Sequence, residues 1–396
     1  MRSMKLRLST LNMILLFLTI IRISYIPNEL FVIFEYVTIM YLLIFNFCEL
    51  KKAPSVYFLI LGYTLILTYS THLNMQSFRW TLSSFMSGLQ MIVIFSVLSY
   101  AMDKSGIKVI INDMIRIVSV FVILNDLLFL FMGYNFANSN TMYLIGNKFS
   151  VSFIHLFLAC LIYYKYFNTN KKIVYWAMFV YSIGITILIQ CTTGTLTLLV
   201  AIFMLLIPIK AMMVVVNRTV LALSLAIGNI LIWGSYAIFQ TPFIQQIVVN
   251  VFHKSSDMTG REKLYDAVLL LVADKPVLGY GYNSDIFRVM FGYGNAQNGV
   301  FNIVIQAGIV GAVLYFGALY IALRAKTKNM GSYAFFVFLY AMAVGSAIEI
   351  NLGNIFILGV ASLFAYNVKE DNYIVPKTMK ILKKRKIFRK RKVDLR

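Results

Sequence analysis

Runs of about 20 apolar residues recur along this 396-residue chain, from Leu11 to Val368. A helix of that length crosses about 30 Å of hydrocarbon. Strands of a membrane barrel would alternate between apolar and polar residues, so the continuous runs predict helices. Hydrophobic residues make up 60% of the chain and charged residues 13%, more apolar surface than a water-soluble fold can bury. The sequence therefore predicts an all-α polytopic integral membrane protein.

About twelve spans are predicted, and placing both termini in the cytoplasm sorts the positive charges by side. Under that topology 28 of the 36 Lys and Arg residues lie on the cytoplasmic side, as the positive-inside rule requires. A wrong number of spans would scramble this alternation. The predicted spans are residues 9–27, 30–48, 55–71, 81–101, 117–133, 150–167, 173–190, 195–209, 219–239, 298–323, 333–348 and 354–368.

The formal net charge of +21 is concentrated at the C-terminal end of the chain. Residues 369–396 contain twelve Lys or Arg and three acidic residues. A basic cluster directly after a last span indicates anchoring to anionic lipid headgroups, ahead of binding to nucleic acid. We therefore expect one transmembrane domain, residues 1–368, followed by a basic cytoplasmic tail, with membrane lipids as a partner and no nucleic acid.

The long segment 240–297 lies between spans nine and ten and is predicted to be extracytoplasmic. Thr259 and Glu262 have capping-box spacing, and the apolar residues that follow predict an amphipathic helix on the outer membrane surface. Arg261 then lies in the first turn, where free N–H groups favour an anion such as a pyrophosphate. The spacing equally allows Arg261 to pair with Glu262 or Asp266 on a solvated face.

The rest of this loop contains the sequences GYGYNS and GYGNAQN, whose glycines are predicted to form turns. Asn295 or Asn298 is a candidate cap for the span that follows. Aromatic residues between the turns either stack on sugars or sit in the membrane interface, and the interface is predicted for most of them. These aromatic residues are Tyr280, Tyr282, Phe287, Phe291 and Tyr293.

Ionisable residues at membrane depth are costly and are candidates for a functional role, although pairing that locks helices together is as good an explanation. Asp126, beside Asn125, is predicted either to accept a proton or to pair with an arginine, and His155 is predicted to be a packed polar residue. Glu35 and Glu349 are the other acidic residues in this group. Five cations are predicted to form an outward-facing site for an anionic lipid: Arg22, Arg79, Lys148, Arg261 and Arg288.

Taken in order, these motifs resemble the Wzy-type polysaccharide polymerases and O-antigen ligases of bacterial envelopes. The resemblance rests on the TGR motif at 259–261, the DKPVLGYGYNS segment, and Asn298 with Gly308 and Gly311 in the next span. The number of spans and the late outer loop extend it over nearly the whole chain.

The resemblance implies a glycosyltransferase that uses sugars carried on undecaprenyl diphosphate, at the outer face of the bacterial cytoplasmic membrane. A polymerase of this kind joins lipid-linked repeat units, requires no metal or soluble cofactor, and has the flippase and chain-length regulator of its pathway as partners. It implies catalytic roles for Arg261, which would bind the diphosphate, and Gln297. The expected substrate-binding residues are Arg22, Arg79, Lys148, Arg288 and Asn298.

The chain departs from the family pattern at two places. Many members carry a histidine where this chain has Gln297, whose amide orients a hydroxyl but cannot act as a base. Either another group removes the proton, with Asp257, Glu262 and Asp285 as unranked candidates, or base catalysis matters little with so good a leaving group. A Ser-Arg pair common near the seventh-to-eighth span turn is replaced here by residues 192–194, Thr-Thr-Gly.

Two other functions remain open on sequence. A lipid-linked oligosaccharide flippase or other transporter would also have many spans and outward cations, but transporters usually show related halves. The 259–298 pattern has no counterpart in the first half of this chain. An O-antigen-type ligase, which moves a finished polymer to a different acceptor, is not separated from a polymerase by any of these residues.

Overall fold

The computed structural model describes residues 7–132, 142–208, 211, 214–234, 261–292, 295–324 and 330–368. Its helices are α1 (Leu8–Ile20), α2 (Asn28–Phe45), α3 (Pro54–Met75), α4 (Phe78–Ser105), α5 (Ile107–Met132), α6 (Lys148–Tyr166), α7 (Lys172–Leu188), α8 (Thr192–Leu206), α9 (Arg218–Gly234), α10 (Arg261–Asp274), α11 (Ile286–Phe291), α12 (Gly299–Ala322), α13 (Met330–Ser346) and α14 (Asn354–Val368). A 3₁₀ helix covers Phe47–Lys52, and β1 (Met142–Tyr143) pairs antiparallel with β2 (Gly146–Asn147) before α6.

Each predicted span overlaps one described helix, namely α1 to α9 and α12 to α14. Among the described helices, α2, α3, α4, α5, α6 and α12 are long and apolar enough to cross a membrane. Helices α1, α7, α8, α13 and α14 are apolar and 10–17 residues long. The structure agrees with an all-helical polytopic membrane protein, while the count of twelve spans and the cytoplasmic termini stay predictions.

The centre of the bundle is α4. In an apolar stretch of 18 residues in this helix, 83% of the residues are buried. It packs against α1, α2, α3 and α5, and α3 in turn packs along α12. On the other side of the bundle, α6 packs against α5, α7 and α13, and α13 packs against α8. Helix α2, by contrast, exposes Leu30, Ile33, Val37 and Ile44. Such an apolar face is expected where a peripheral helix meets lipid.

Small residues let some of these helices approach closely, as membrane bundles require. A Cβ atom on Gly88 of α4 would lie 2.2 Å from Thr64 Oγ1 of α3. A Cβ atom on Gly194 of α8 would lie 2.3 Å from Ser152 Oγ of α6.

The sequence suggested that residues 192–194, Thr-Thr-Gly, form the turn between the seventh and eighth spans. That prediction is wrong, because these residues form the first turn of α8, and the turn itself lies at 189–191.

Several sequence predictions change place or fall outside the described residues. Arg22 was predicted within the first span, but α1 ends at Ile20 and leaves Arg22 exposed beyond its end. The tail at 369–396, the loop residues 240–260 and Tyr293 lie outside the part of the chain that the structure describes.

Candidate functional site

Helix α12 is broken in its first half. At Gly308 the backbone has φ 64° and ψ −175°, far from helical values. A break of this kind leaves main-chain groups on both sides without their usual helical partners. Inside a membrane such groups must be satisfied by other parts of the protein, because lipid offers no hydrogen bonds.

The segment 276–281, which we call the docking segment, supplies those partners. The N–H groups of Tyr280 and Gly281 donate to the carbonyls of Ile305 (2.7 Å) and Gln306 (2.9 Å). In the other direction, the N–H of Ile309 donates to Pro276 O at 2.8 Å. The N–H of Val310 donates to Val277 O at 3.4 Å. Four main-chain hydrogen bonds therefore join the docking segment to the break in α12.

Two glycines allow the two main chains to come this close. A Cβ atom on Gly279 would lie 2.3 Å from Ile305 O, and one on Gly308 would lie 2.1 Å from Val277 O. Both glycines also have positive φ, 69° and 64°, which other residues rarely adopt. The glycines predicted as simple turns in the DKPVLGYGYNS segment thus include one at a backbone-to-backbone contact.

Helix α3 holds the other side of the docking segment. Ser70 Oγ (3.3 Å) and Asn74 Nδ2 (3.1 Å) donate to the carbonyl of Gly279. The N–H of Tyr282 donates to Thr71 Oγ1 at 2.9 Å. Lys275 Nζ, just before the segment, donates to Asn74 Oδ1. The docking segment is therefore fixed between α3 and α12 in the predicted outer part of the bundle.

The apolar face predicted for the loop helix is present in α10, but it packs on protein. Ala267, Val268 and Leu271 are buried as the helical spacing predicted. Val268 and Leu271 share a small cluster with Tyr280, Phe287, Ala296 and Ile305. The prediction that most of the loop aromatics anchor in the membrane interface is therefore wrong for Tyr280 and Phe287.

The side chain of Tyr280 also closes the turn that follows α10. Its hydroxyl donates to Asp274 Oδ2 at 2.7 Å. Burial, reinforced by this hydrogen bond to a carboxylate, raises the pKa of Tyr280 to about 12. The phenol consequently stays protonated at neutral pH and keeps α10 joined to the docking segment.

A polar cavity of about 720 Å³, which we call the outer cavity, opens beside the docking segment. Residues from the ends of α1, α4 and α6 line it, together with residues 283–288, the start of α12 and the connection between α13 and α14. Seven of the described lining residues are amides: Asn147, Asn283, Asn295, Asn302, Gln306, Asn351 and Asn354. The others with polar or aromatic side chains are Ser150, Ser284, Asp285, Arg288, Glu349, Trp80, Phe149, Phe153 and Phe287.

This lining suits a ligand rich in hydroxyl groups. Each amide offers both a donor and an acceptor, as hydroxyls do, and the aromatic rings offer flat apolar faces for the C–H surface of a sugar. Most small-molecule pockets are instead mainly apolar with a few polar groups. Several amides are held in place, since Asn354 Nδ2 donates to Gln90 Oε1 (2.7 Å) and Asn351 Nδ2 donates to Met342 O (2.7 Å).

The predicted cations have different relations to this cavity. Arg288 lines it, with a side chain 71% exposed and Nη1 3.9 Å from Asp285 Oδ1. Arg22 lines an adjoining cavity of about 220 Å³ and donates to Asn28 Oδ1 at 2.9 Å. Lys148 falls between two residues that line the outer cavity and stacks over the Phe149 ring at 5.8 Å. Arg79 is exposed at the start of α4.

Of the two residues predicted as possible caps of this span, Asn298 is the one that caps α12. Its side-chain oxygen accepts from the N–H of Phe301 at 3.0 Å, and its Nδ2 donates to Asn229 Oδ1 (2.6 Å) and to Ala347 O (3.1 Å). The residue is fully buried, so the substrate-binding role predicted for it finds no support in this placement. Gln297, with φ 45°, likewise is not among the residues that line the outer cavity.

Arg261 belongs to α10, the helix that the sequence predicted in this loop. The side chains of Arg261 and Glu262, and all of Asp257 and Thr259, lie outside what the structure describes. The diphosphate-binding role of Arg261 therefore stays a prediction. Of the three base candidates, Asp285 is the one placed at the outer cavity.

The predicted pairing of Asp126 with an arginine is replaced by a different buried contact. Asp126 Oδ2 lies 3.0 Å from His155 Nε2 and accepts from the Tyr181 hydroxyl. His155 has no exposed surface, so the prediction of a packed polar residue is confirmed. Asn125 connects this network to the turn before α6, because its Oδ1 accepts from the N–H of Ile145 at 3.3 Å.

Sequence reasoning missed most of the cavity lining. Asn302 and Gln306 lie within an apolar run that reads as an ordinary span, and Asn351 and Asn354 lie in a short connection. The available signal was the unusual density of polar residues in SAIEINLGN, at 346–354, between two apolar runs.

We expect Asn298→Ala to lower the free energy of unfolding by about 2 kcal/mol or more. The substitution removes a helix cap and leaves the buried Asn229 Oδ1 and Ala347 O without this donor. Thermal unfolding of the detergent-purified protein measures the effect. Asn302→Ala is the matched control, because Asn302 is partly exposed in the cavity and should change stability by about 0.5 kcal/mol or less. Equal losses in the two variants would contradict the capping role.

Comparison with known proteins bears on the same part of the chain. No curated protein matches the chain. Residues 177–316, which run from α7 into α12 and include the docking segment, match the family described as O-antigen ligase. That match supports a place for this multi-pass membrane protein in the O-antigen ligase and polymerase superfamily, whose members act on lipid-linked sugars in polysaccharide assembly.

Proposed function

We propose that this protein is a polysaccharide polymerase that joins repeat units carried on undecaprenyl diphosphate, at the outer face of the bacterial cytoplasmic membrane. The observation that carries the proposal is the amide-lined outer cavity, with Arg288 among its lining residues. The family match over residues 177–316 supports the same class of enzyme. The flippase and the chain-length regulator of the same pathway are its proposed partners.

In this reaction an acceptor hydroxyl of one lipid-linked unit attacks the anomeric carbon of a sugar on another. The bond between that carbon and the diphosphate breaks, and the lipid diphosphate leaves with the electron pair. The enzyme must hold the two units together and stabilise the negative charge that develops on the leaving group. The amides of the outer cavity fit the first task.

Cations near the cavity fit the second task. Arg288 is at the cavity, and Arg22, Lys148 and Arg79 belong to segments that reach it or lie next to it. Arg261 would bind the diphosphate through its guanidinium at the start of α10. Gln297 does not itself line the outer cavity but lies two residues after Asn295, which does, and from there its amide would orient the acceptor. These roles for Arg261 and Gln297 are part of the proposal.

A ligase is the second candidate, because the matching family is described as O-antigen ligase. A ligase would use the same donor chemistry and the same cations. It would differ in its acceptor, which would be a finished lipid-anchored sugar in place of another repeat unit. The two reactions are therefore separated by their products.

We expect Arg261→Ala to reduce polymer formation about 100-fold or more, because it removes a cation from the developing diphosphate. Arg288→Ala should reduce it about 10-fold, because a side chain 71% exposed is screened by water. Polymer length on gels measures both, in cells that lack the native protein and carry each variant at a checked membrane level. Lys171→Ala, an exposed cation on the predicted cytoplasmic side, is the control and should match wild type.

The same gels separate the candidate functions. A polymerase leaves single lipid-linked repeats facing outward when it is absent. A ligase leaves full-length polymer that stays on its lipid carrier. Repeats trapped on the cytoplasmic face would overturn both enzymes in favour of a transporter. Wild-type polymer in Arg261→Ala cells would overturn the role of that residue.

A further inference from the structure

The attacking hydroxyl must lose its proton, and a group at the cavity has to accept it. Gln297 carries an amide, which is not a base, and it does not line the outer cavity. We propose that the carboxylate of Glu349 accepts this proton. The inference rests on the proposed function and extends it to a residue in the connection between α13 and α14.

Glu349 is placed for this role by the fold. It lines the outer cavity together with Asn302, Gln306, Asn351 and Asn354. The residue is 8% exposed, so bulk water has little access to its carboxylate. A hydroxyl bound among the amides approaches the carboxylate from the cavity, which is the geometry that general base catalysis requires.

Glu349 is the better placed of the two carboxylates among the described lining residues. Asp285, the other one, is 69% exposed and 3.9 Å from the guanidinium of Arg288. In that exposed position Asp285 is better suited to pair with a cation than to accept a proton. Glu349 instead lines the cavity as a residue that is only 8% exposed, so its side chain is better shielded from bulk solvent.

The connection that carries Glu349 is rigidly held. Glu349 Oε1 accepts from the N–H of Ile350 at 3.1 Å. Two residues of the α12 region bind the same connection, since Asn298 Nδ2 donates to Ala347 O (3.1 Å) and the Tyr315 hydroxyl donates to Leu352 O. A base held by its surroundings loses little entropy when the acceptor binds. The buried position of Asn298 thus contributes to the site indirectly.

The step balances as a glycosyl transfer. The acceptor oxygen forms a bond to the anomeric carbon as the carbon–oxygen bond to the diphosphate breaks. The electron pair of the broken bond leaves on the lipid diphosphate. The hydroxyl proton passes to the Glu349 carboxylate, which returns it to solvent before the next turnover. No oxidant, reductant or further reactant is needed.

The test uses the full-length protein in proteoliposomes, with lipid-linked repeat units extracted from cells that lack it as the probe. Glu349→Gln keeps the shape of the side chain and removes the proton acceptor. We expect the transfer rate to fall about 100-fold or more, while the lipid-linked units remain bound to the protein to the wild-type extent. Glu29→Gln is the control, because Glu29 is an exposed carboxylate on the same predicted face and its loss should leave transfer unchanged.

A second variant separates chemistry from folding. In Glu349→Ala, added formate is expected to restore transfer several-fold, because a small carboxylate can enter the cavity and accept the proton. Transfer by Glu349→Gln within about threefold of wild type would overturn the proposal. So would a joint loss of binding and transfer with no rescue by formate. If the wild-type protein itself forms no glycosidic bond from these units, the proposed function fails before any variant is compared.

Discussion

Gly279→Ala is expected to abolish polymer formation, with a loss of about 100-fold or more. The added Cβ atom would lie 2.3 Å from Ile305 O and 2.6 Å from Gly308 N. Both are main-chain atoms of α12, so no flexible side chain can move aside. The docking segment must therefore separate from the break in α12 and lose its hydrogen bonds. Polymer length on gels, with membrane protein level as the reference, measures the result.

Gly292→Ala is the matched control for this prediction. Gly292 has φ 72°, close to the φ of 69° at Gly279, but a Cβ atom there would meet no atom of the described residues within 4 Å. Alanine at either position must take a positive φ, which costs about 1 kcal/mol. The difference between the variants therefore reports the close contact alone. Equal activity in the two variants would show that the docking segment is not needed.

The large effect follows from the position of the docking segment beside the outer cavity. Ile305 and Gln306 line the cavity with their side chains and accept the hydrogen bonds of the segment with their carbonyls. Residues 283–288 continue directly from the segment and form another part of the lining. Separation of the segment would therefore displace Asn283 and Arg288, which follow it in the chain. The contact at the break in α12 is in this way expected to hold part of the cavity lining in place.

Local parts of this arrangement could be predicted from sequence. The presence of helix α10 followed from helical spacing of its apolar residues, and the cap of α12 at Asn298 was one of two candidates from polar residues before an apolar run. Both signals involve residues within one or two turns of each other. Helical spacing likewise gave the buried face of α10, which includes Val268 and Leu271. Helical spacing could not show which residues that face packs against.

Long-range contacts account for what sequence could not show. Gly308 lies in an apolar run that reads as a continuous helix, and its break depends on a segment about 30 residues earlier. Glu349 lies in a connection whose carbonyls at Ala347 and Leu352 accept hydrogen bonds from Asn298 and Tyr315, residues far away in sequence. His155 and Asp126 lie on two different helices and 29 residues apart in sequence, yet their side chains are in contact. None of these pairs has a local signature in a single sequence.

His155→Ala is expected to lower the free energy of unfolding by about 3 kcal/mol. His155 and Asp126 have 0% and 2% exposure. The imidazole Nδ1 lies 2.8 Å from Val151 O, and Nε2 lies 3.0 Å from Asp126 Oδ2. A carbonyl only accepts, so Nδ1 carries a hydrogen and donates it to Val151 O, while Nε2 faces the carboxyl of Asp126. Removing the imidazole leaves a buried acidic group without its main partner.

The size of the loss depends on what remains around Asp126. The Tyr181 hydroxyl still donates to Oδ2, and Asn125 Nδ2 still donates to Oδ1 at 3.1 Å. The unfolded chain in a membrane also finds polar partners, which reduces the net value of each contact. Tyr181→Phe, which keeps the ring and removes one donor, should therefore cost about 1 kcal/mol.

A double-mutant cycle separates this pairing from ordinary loss of packing. If the carboxyl and the imidazole stabilise each other, Asp126→Ala with His155→Ala should cost less than the sum of the single variants, by about 1 kcal/mol or more. Unfolding of the detergent-purified protein gives the three values. Strict additivity would show that each side chain contributes only its volume. Coupling would show that the contact between these two side chains ties α5 to α6, because Asp126 and His155 belong to those helices.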